Sequence, residues 1–275
     1  FTFGYGSAAR YYNHERVNDL NHEGIGGVPA LVERFLTESN SPMSVSLETH
    51  PGVGLDWHWR EKKDLITAAS YEHIFLQSYS TLDEKTPGDP TVLIDYTKRW
   101  TEVFKAMSPT VKIHLVATWS RPDLTFVNDK HWSGKPINQM ALDIRQGYDQ
   151  AAHASGDVAD VVPVGEAFNL AIDSAIALAN PYQTHNPELV DLWTYDHYHA
   201  STYGYYLEAL MMYSTLTHRP ATDLGQFECA AHELGLSPLQ AMNLQRIATQ
   251  TMQNNKIPLS KSQPLPLNVA TSCTP

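Results

Sequence analysis

The sequence predicts an α/β protein with a parallel sheet of short strands flanked by helices. Three observations carry that expectation. Short apolar or alternating runs at 43–48, 72–77, 111–118 and 161–164 have the length and residue types of strands. The stretches between them show apolar residues three and four apart, the period of a helix packed on one side. Finally, 275 residues with 42% hydrophobic and 18% charged side chains suffice to bury a sizeable core.

The chain opens on Phe1-Thr2-Phe3-Gly4-Tyr5-Gly6-Ser7, which reads as a turn with two glycines. Residues 8–26 are polar and glycine-bearing and read as a long loop, of a length that often serves as a lid or binding loop. Val28, Leu31, Val32, Phe35 and Leu36 form a helical face, and Met43 to Leu47 alternates as a strand. His50-Pro51-Gly52-Val53-Gly54-Leu55 then turns into a helix beginning near Asp56. Glu72 to Gln77 fits a buried parallel strand, and Thr91 to Met107 a long amphipathic helix.

Val111 to Thr118 is the clearest strand, by β-branching and alternation. It exits through Trp119-Ser120-Arg121-Pro122. The carboxyl ends of parallel strands face the ligand crevice of an open α/β sheet, so Trp119 and Arg121 are candidate substrate-binding walls. For Arg121 a proline-ended surface loop is the competing reading. Helices are expected over 137–154 and 166–178, either side of the strand at 161–164. A last helix starts at Ser237-Pro238, with serine as N-cap and proline in the first turn, and runs to about Met252. One domain over 1–253 and an extended, proline-bearing tail over 254–275 are expected.

A net charge of -11 argues against nucleic acid or an anionic membrane surface as partner, and no apolar run reaches transmembrane length. Two cysteines, Cys229 and Cys273, are too few for a disulfide scaffold or a cysteine zinc site. One late disulfide or two separate thiols fit equally. The chain does not begin with Met and shows no basic-then-apolar leader, which suggests processing or trimming. Composition leans towards a secreted or periplasmic protein.

The chemistry concentrates in Trp193-Thr194-Tyr195-Asp196-His197-Tyr198-His199-Ala200-Ser201, followed by the apolar run Leu207 to Leu216. Ser201 is a plausible N-cap, with Leu207, Leu210, Met211, Ser214 and Thr215 as the buried stripe of the helix. Asp196, three residues before His199, could hold the imidazole Nδ1–H and leave Nε2 for a proton taken from a hydroxyl. A surface loop with a hydrogen-bonded Asp and His is the plain alternative. A metal is a further reading, since His50, His58, His197, His199 and Asp196 are all potential ligands. However, the spacing is not that of a helical zinc pair and no H-E-x-x-H is present. No G-x-G-x-x-G follows a strand and no G-x-x-x-x-G-K occurs, so no nucleotide cofactor is indicated and none is expected, while the absence of G-x-S-x-G speaks against an α/β-hydrolase nucleophile elbow.

The segment D-H-Y-H-A-S-T-Y-G-Y-Y-L-E-A-L-M-M-Y-S-T-L-T resembles the last block of the SGNH (GDSL-type) hydrolases, in the branch whose first block reads G-N-S-F-T. P-G-V-G-L-D-W-H and E-H-I-F-L-Q resemble two earlier blocks of that branch, and P-V-G-E-A-F a third. The resemblance implies a three-layer flavodoxin-like fold with about five strands in the order 2-1-3-4-5. It also implies a serine esterase with His199 as base and Asp196 as its orienting carboxylate. Phe1-Thr2 matches the residues just after the family's nucleophile, so the serine, and the strand leading to it, would stand immediately before Phe1. Ser7 is the fallback. The oxyanion would be bound by the N–H of Gly52, with Gly54 as fallback, and by Gln77 or Ser80 in place of the family's Asn. The implied substrate is a small-molecule or carbohydrate ester. A non-catalytic ligand- or carbohydrate-binding protein on the same fold is the alternative.

Overall fold

The computed structural model describes residues 2–183, 186–265 and 273. In chain order, 3-10 turns at Ala8–Tyr11 and His14–Arg16 lead to strand β1 (Val17–Asp19), helix α1 (Gly27–Glu38) and β2 (Val45–Leu47). Then come α2 (Leu55–Glu61), α3 (Lys63–Ile66), β3 (His73–Leu76), α4 (Thr91–Met107), β4 (Lys112–Ala117), α5 (Pro122–Thr125), α6 (Ile137–Ser155) and β5 (Val158–Pro163). Helices α7 (Val164–Asp173), α8 (Thr202–Thr217), α9 (Cys229–Glu233) and α10 (Pro238–Asn254) follow. Pairing between these strands is parallel throughout: β1 with β2 in one sheet, and β3-β4-β5 in another. The chain divides into two compact, interleaved units. One holds the residues up to Thr49, Arg121–Asp123 and the chain from Ala167; the other holds His50–Ser120 and Leu124–Glu166.

The second unit is built on β3-β4-β5. Alternation along β4 sends Ile113, Leu115 and Ala117 into a core with Leu76, Val161 and the inner faces of α4 and α6. Trp100 and Phe104 stack at 5.2 Å within it, and the indole N–H of Trp100 donates to the Leu55 carbonyl at 3.2 Å. That bond ties α2 to α4 and satisfies the one polar atom on a fully buried ring. The opposite face of β4 carries His114, paired to His73 Nδ1 at 3.0 Å and facing Asp160 at 3.2 Å.

The first unit is organised around α8. Ser201 caps it by accepting from the Tyr203 and Gly204 N–H groups. Every residue from Gly204 to Thr215 is buried, so α8 is a central helix instead of the one-sided helix its stripe suggested. Phe35 of α1 meets Tyr206 and Tyr213 edge-on at 5.6 and 5.9 Å. From α10, Gln245 donates to the Tyr206 hydroxyl at 3.0 Å and to the Gly225 carbonyl at 2.8 Å. Gly204 permits the close approach that buries the helix start, since a Cβ there would lie 2.5 Å from the Leu192 carbonyl oxygen. α10 begins with a capping box between Ser237 and Gln240 and Pro238 in its first turn.

The four expected strands are present as β2 to β5, although β2 and β3 are shorter than their apolar runs. Among the described residues β2 pairs with β1 and β3 with β4, so β2 and β3 do not pair with each other. The stretch 8–26, expected as loop, contains β1 and two 3-10 turns. β1 is held in place by the buried Asp19, whose carboxylate accepts from the N–H groups of Asn21, Glu23 and Ile25. The helix expected to reach 178 ends at Asp173.

Residues 257–265 carry no helix or strand and are pinned. Ser262 and the Gln263 N–H both donate to the buried Asp223 carboxylate, and the Leu265 N–H donates to its carbonyl. The two cysteines form one disulfide, Cys229–Cys273. No helix among the described residues is long and apolar enough to cross a membrane.

Candidate functional site

Residues 191–201 fold into a tight loop whose ends are tied before the functional side chains are placed. Trp193 and Ala200 form an antiparallel bridge, the Thr194 N–H donates to the His199 carbonyl at 2.9 Å, and the Ser201 hydroxyl donates to the Asp191 carbonyl at 2.6 Å. Within the loop the His197 N–H donates to the Thr194 carbonyl, and His197 itself takes the left-handed conformation at φ 54°. That bend turns Asp196 on one side of it towards Tyr198 and His199 on the other.

The Asp196 carboxylate is used on both oxygens. Oδ1 accepts from the N–H groups of Tyr198 and His199 at 3.0 and 2.9 Å, and Oδ2 accepts from His199 Nδ1 at 2.7 Å. An ionised carboxylate can only accept, so the Nδ1 proton is fixed in place and Nε2 is the nitrogen that exchanges a proton. Burial drives the Asp196 carboxyl upward. The hydrogen bonds from the imidazole and the two backbone N–H groups overcome that and hold it below the usual aspartate range. Burial pushes His199 below the ordinary imidazole value, against the opposing pull of Asp196. The pair is therefore a carboxylate and a neutral imidazole at neutral pH, the state a general base requires.

Aromatic rings enclose the imidazole. Tyr198 lies 4.1 Å from it, Tyr5 4.5 Å and Phe3 6.4 Å, centroid to centroid. Arg121 reaches this loop as well: its guanidinium sits 3.5 Å over the Tyr198 ring and forms a two-point pair with Asp123 at 3.1 and 2.7 Å. The Asp123 N–H donates to the His197 carbonyl at 3.3 Å. Arg121 thus meets the site through Tyr198, a contact that reading it as a crevice wall did not specify. Phe3, Tyr5 and Tyr198 were not singled out from sequence. The signal for Tyr198 was adjacency to His199, but nothing local ties residues 3–5 to a loop some 190 positions away.

The other expected residues fall in different surroundings. Ser7 caps the 3-10 turn at Ala8–Tyr11; its hydroxyl donates to the Gly4 carbonyl at 3.0 Å and accepts from the Ala9 N–H at 3.2 Å. The one proton of Ser7 Oγ is therefore committed to Gly4 instead of an imidazole. In the second unit Gly52 lies exposed at φ +70°, and a Cβ there would meet nothing within 4 Å. Gly54 is buried, with its missing Cβ 3.0 Å from Ser78 Oγ and 3.5 Å from the Tyr79 N–H nitrogen. Of the two glycines, Gly54 is the one set against the exit of β3, the segment that begins at Gln77. Ser80 is buried. Trp119, the other candidate wall, is fully buried. His50 stacks on Trp57 at 4.3 Å. Among the described residues no three His, Cys, Asp or Glu side chains are grouped to hold a metal ion.

No family model and no curated protein matches the sequence. Two solved structures are similar. One is a DUF4886 family protein from Bacteroides uniformis, at TM-score 0.54 and 15% identity over 84% of this chain and 90% of that one. The other is a protein from Slackia heliotrinireducens, named provisionally as an SGNH hydrolase, at TM-score 0.51 and 18% identity over 73% of this chain and 96% of that one. At these identities the likeness is one of fold: the chain has an α/β architecture of parallel sheets and helices shared with an SGNH-hydrolase-like protein.

Proposed function

We propose that this protein is a serine-type hydrolase of carboxylic esters in which Asp196 and His199 form two thirds of a catalytic triad. The observation that carries the reading is the 2.7 Å bond between His199 Nδ1 and Asp196 Oδ2, in a loop that also fixes the carboxylate by two backbone N–H groups. The SGNH-like fold of a structural neighbour supports it. In this reading a serine hydroxyl attacks the ester carbonyl carbon and its proton passes to His199 Nε2. The tetrahedral oxyanion collapses, breaking the C–O bond, and His199 returns the proton to the departing alcohol. Water then attacks the acyl-enzyme by the same route, and the acid is released.

The resemblance assigns the nucleophile to a serine directly before Phe1, at the end of an apolar strand. It assigns the oxyanion to a glycine N–H of the 52–54 turn and to a donor at Gln77 or Ser80. The disulfide Cys229–Cys273 supports the expectation of an exported protein, since such bonds persist in oxidising compartments.

The test is turnover of p-nitrophenyl esters of rising chain length by the protein carrying the residue that precedes Phe1, with His199→Ala alongside. Loss of a triad base typically costs on the order of 10⁴-fold or more. Less than a tenfold loss, or no turnover of any ester by a chain with serine at that position, would overturn the proposal. An alanine or glycine there in the natural protein would favour the non-catalytic binder.

A further inference from the structure

We propose that Arg121 is a positioning residue for His199 and acts through the Tyr198 ring that stands between them. This deepens the triad reading and rests on it for turnover. The effect on the imidazole itself can be read without turnover.

A hydrogen bond at Nδ1 fixes one corner of an imidazole; the direction in which Nε2 points also depends on what lies against the ring faces. Of the rings around His199, Tyr198 is nearest, at 4.1 Å and tilted by 35°, with Tyr5 next at 4.5 Å. Tyr198 is covered in turn by Arg121, whose guanidinium carbon lies 3.5 Å from the ring centroid. Planar groups that close to one ring each need a face of it, so the order is guanidinium, phenol ring, imidazole. The arginine is held as well. Its Nε–Nη2 edge donates to both Asp123 oxygens, at 3.1 and 2.7 Å, which leaves its flat face for the tyrosine. The Asp123 N–H donates to the His197 carbonyl at 3.3 Å. The turn after β4 therefore grips His197 and Tyr198, the two residues that separate Asp196 from His199.

The stack also sets a positive charge one ring away from the imidazole. The Arg121 side chain is only 11% exposed, so solvent screens that charge weakly. Burial is the main cause of the lowered His199 value; Asp196 opposes it and Arg121 adds to it. Arginine suits the place because one planar group can stack on a ring and fork to a carboxylate together, which lysine cannot do. A residue lining the substrate crevice would act differently: its loss weakens substrate binding, whereas loss of a positioning residue slows the chemical step.

Three variants test this: Arg121→Gln, Arg121→Lys and Tyr198→Leu, with Arg121→Gln and Tyr198→Leu also combined. Turnover of p-nitrophenyl acetate is measured on the chain carrying the residue that precedes Phe1, and His199 is titrated by ¹⁵N-imidazole spectra. Arg121→Gln should lower kcat by on the order of 10–100-fold with KM within about twofold. Tyr198→Leu should cost as much, and the combined variant no more than the worse single one, since both break one chain of contacts. The His199 midpoint should rise by about half a unit or more in Arg121→Gln, where a positive neighbour is lost and Asp123 is left unpaired. Arg121→Lys should hold that midpoint and still lose turnover, which separates the stack from the charge.

A raised KM with unchanged kcat would return Arg121 to the crevice wall and overturn the inference. So would losses that multiply in the combined variant, or a His199 midpoint that stays or falls in Arg121→Gln; a merely structural arginine would lower the thermal midpoint and leave the titration alone. Should Arg121→Gln fail to fold, Arg121→Lys decides, and native kcat in it is the refuting result. Native protein that turns over no ester removes the triad reading, and the titration then judges Arg121 by itself.

Discussion

Replacing Asp196 by Asn tests the catalytic pair with almost no change of shape. In the native loop Oδ1 accepts two backbone N–H groups and Oδ2 accepts from Nδ1, so every position around the carboxylate demands an acceptor. An amide offers one acceptor and one donor. Two N–H groups outweigh one, so the amide oxygen should take the Oδ1 position and turn its NH₂ towards the ring. His199 then has to accept at Nδ1 and carry its proton on Nε2, the tautomer that cannot take a proton from serine. The expected cost in turnover is on the order of 10⁴-fold, from wrong tautomer alone. The cost in stability is much smaller. One charge-assisted bond becomes a neutral one and two are weakened, which for a partly buried group comes to about 1–3 kcal/mol. A domain of ordinary stability survives that loss. The assay is kcat on p-nitrophenyl acetate, with ¹⁵N-imidazole spectra reporting which nitrogen is protonated. A loss below tenfold, or an Asp196→Asn variant in which His199 Nδ1 stays protonated, would refute the reasoning.

Three further outcomes follow from the structure. The acid limb of kcat/KM should have its midpoint below the ordinary imidazole value, because burial lowers His199 and the neutral ring is the active base; a midpoint above about 6.5 would contradict it. Glu228 should make stability fall as pH rises. It is buried near Glu38, and burial with that neighbouring carboxylate raises its folded value to about 8. A raised folded value gives a contribution fully present below the unfolded value near 4.5 and lost by about pH 8. Urea unfolding across about pH 5–9 should show that slope, and Glu228→Gln should flatten it; an equally steep slope in the variant removes the assignment. Reducing the Cys229–Cys273 bond, which closes a separation of 44 residues, should lower unfolding stability by on the order of 4 kcal/mol in the chain-entropy model. Unfolding curves that coincide with and without reductant would show that the tail contributes nothing.

The parts of the fold that could be read from sequence are those in which one side chain type repeats with a period. β4 alternates over six residues and α10 announces itself by Ser237-Pro238, and both are found where expected. β1 was not legible because three residues, Val17-Asn18-Asp19, give one cycle of alternation. Its stability comes from pairing with β2 and from Asp19 holding the next turn, neither of which has a local signature. The all-round burial of α8 was partly hidden for a similar reason. Tyr205, Tyr206 and Tyr213 lie outside the stripe of Leu207, Leu210, Met211, Ser214 and Thr215, and only partners such as Gln245 and Phe35 show how such rings are accommodated inside.

The candidate site divides along the same line. The Asp196–His199 geometry is local: a spacing of three, a left-handed His197 and a bridge from Trp193 to Ala200 suffice to bring carboxylate and ring together. A sequence pattern can therefore specify it. The choice between Gly52 and Gly54 is different. Both stand in one short turn between a strand and a helix, both lack a side chain, and either fits a requirement for an unobstructed N–H. What separates them is burial, Gly52 facing open space and Gly54 facing Ser78 and Tyr79, and that is set by a strand exit more than twenty residues downstream. Arg121 repeats the point, since its partners Asp123 and Tyr198 are two and 77 positions away. A group whose position is decided by its immediate neighbours is legible in the chain; one whose position is decided by what packs over it is legible only in the fold.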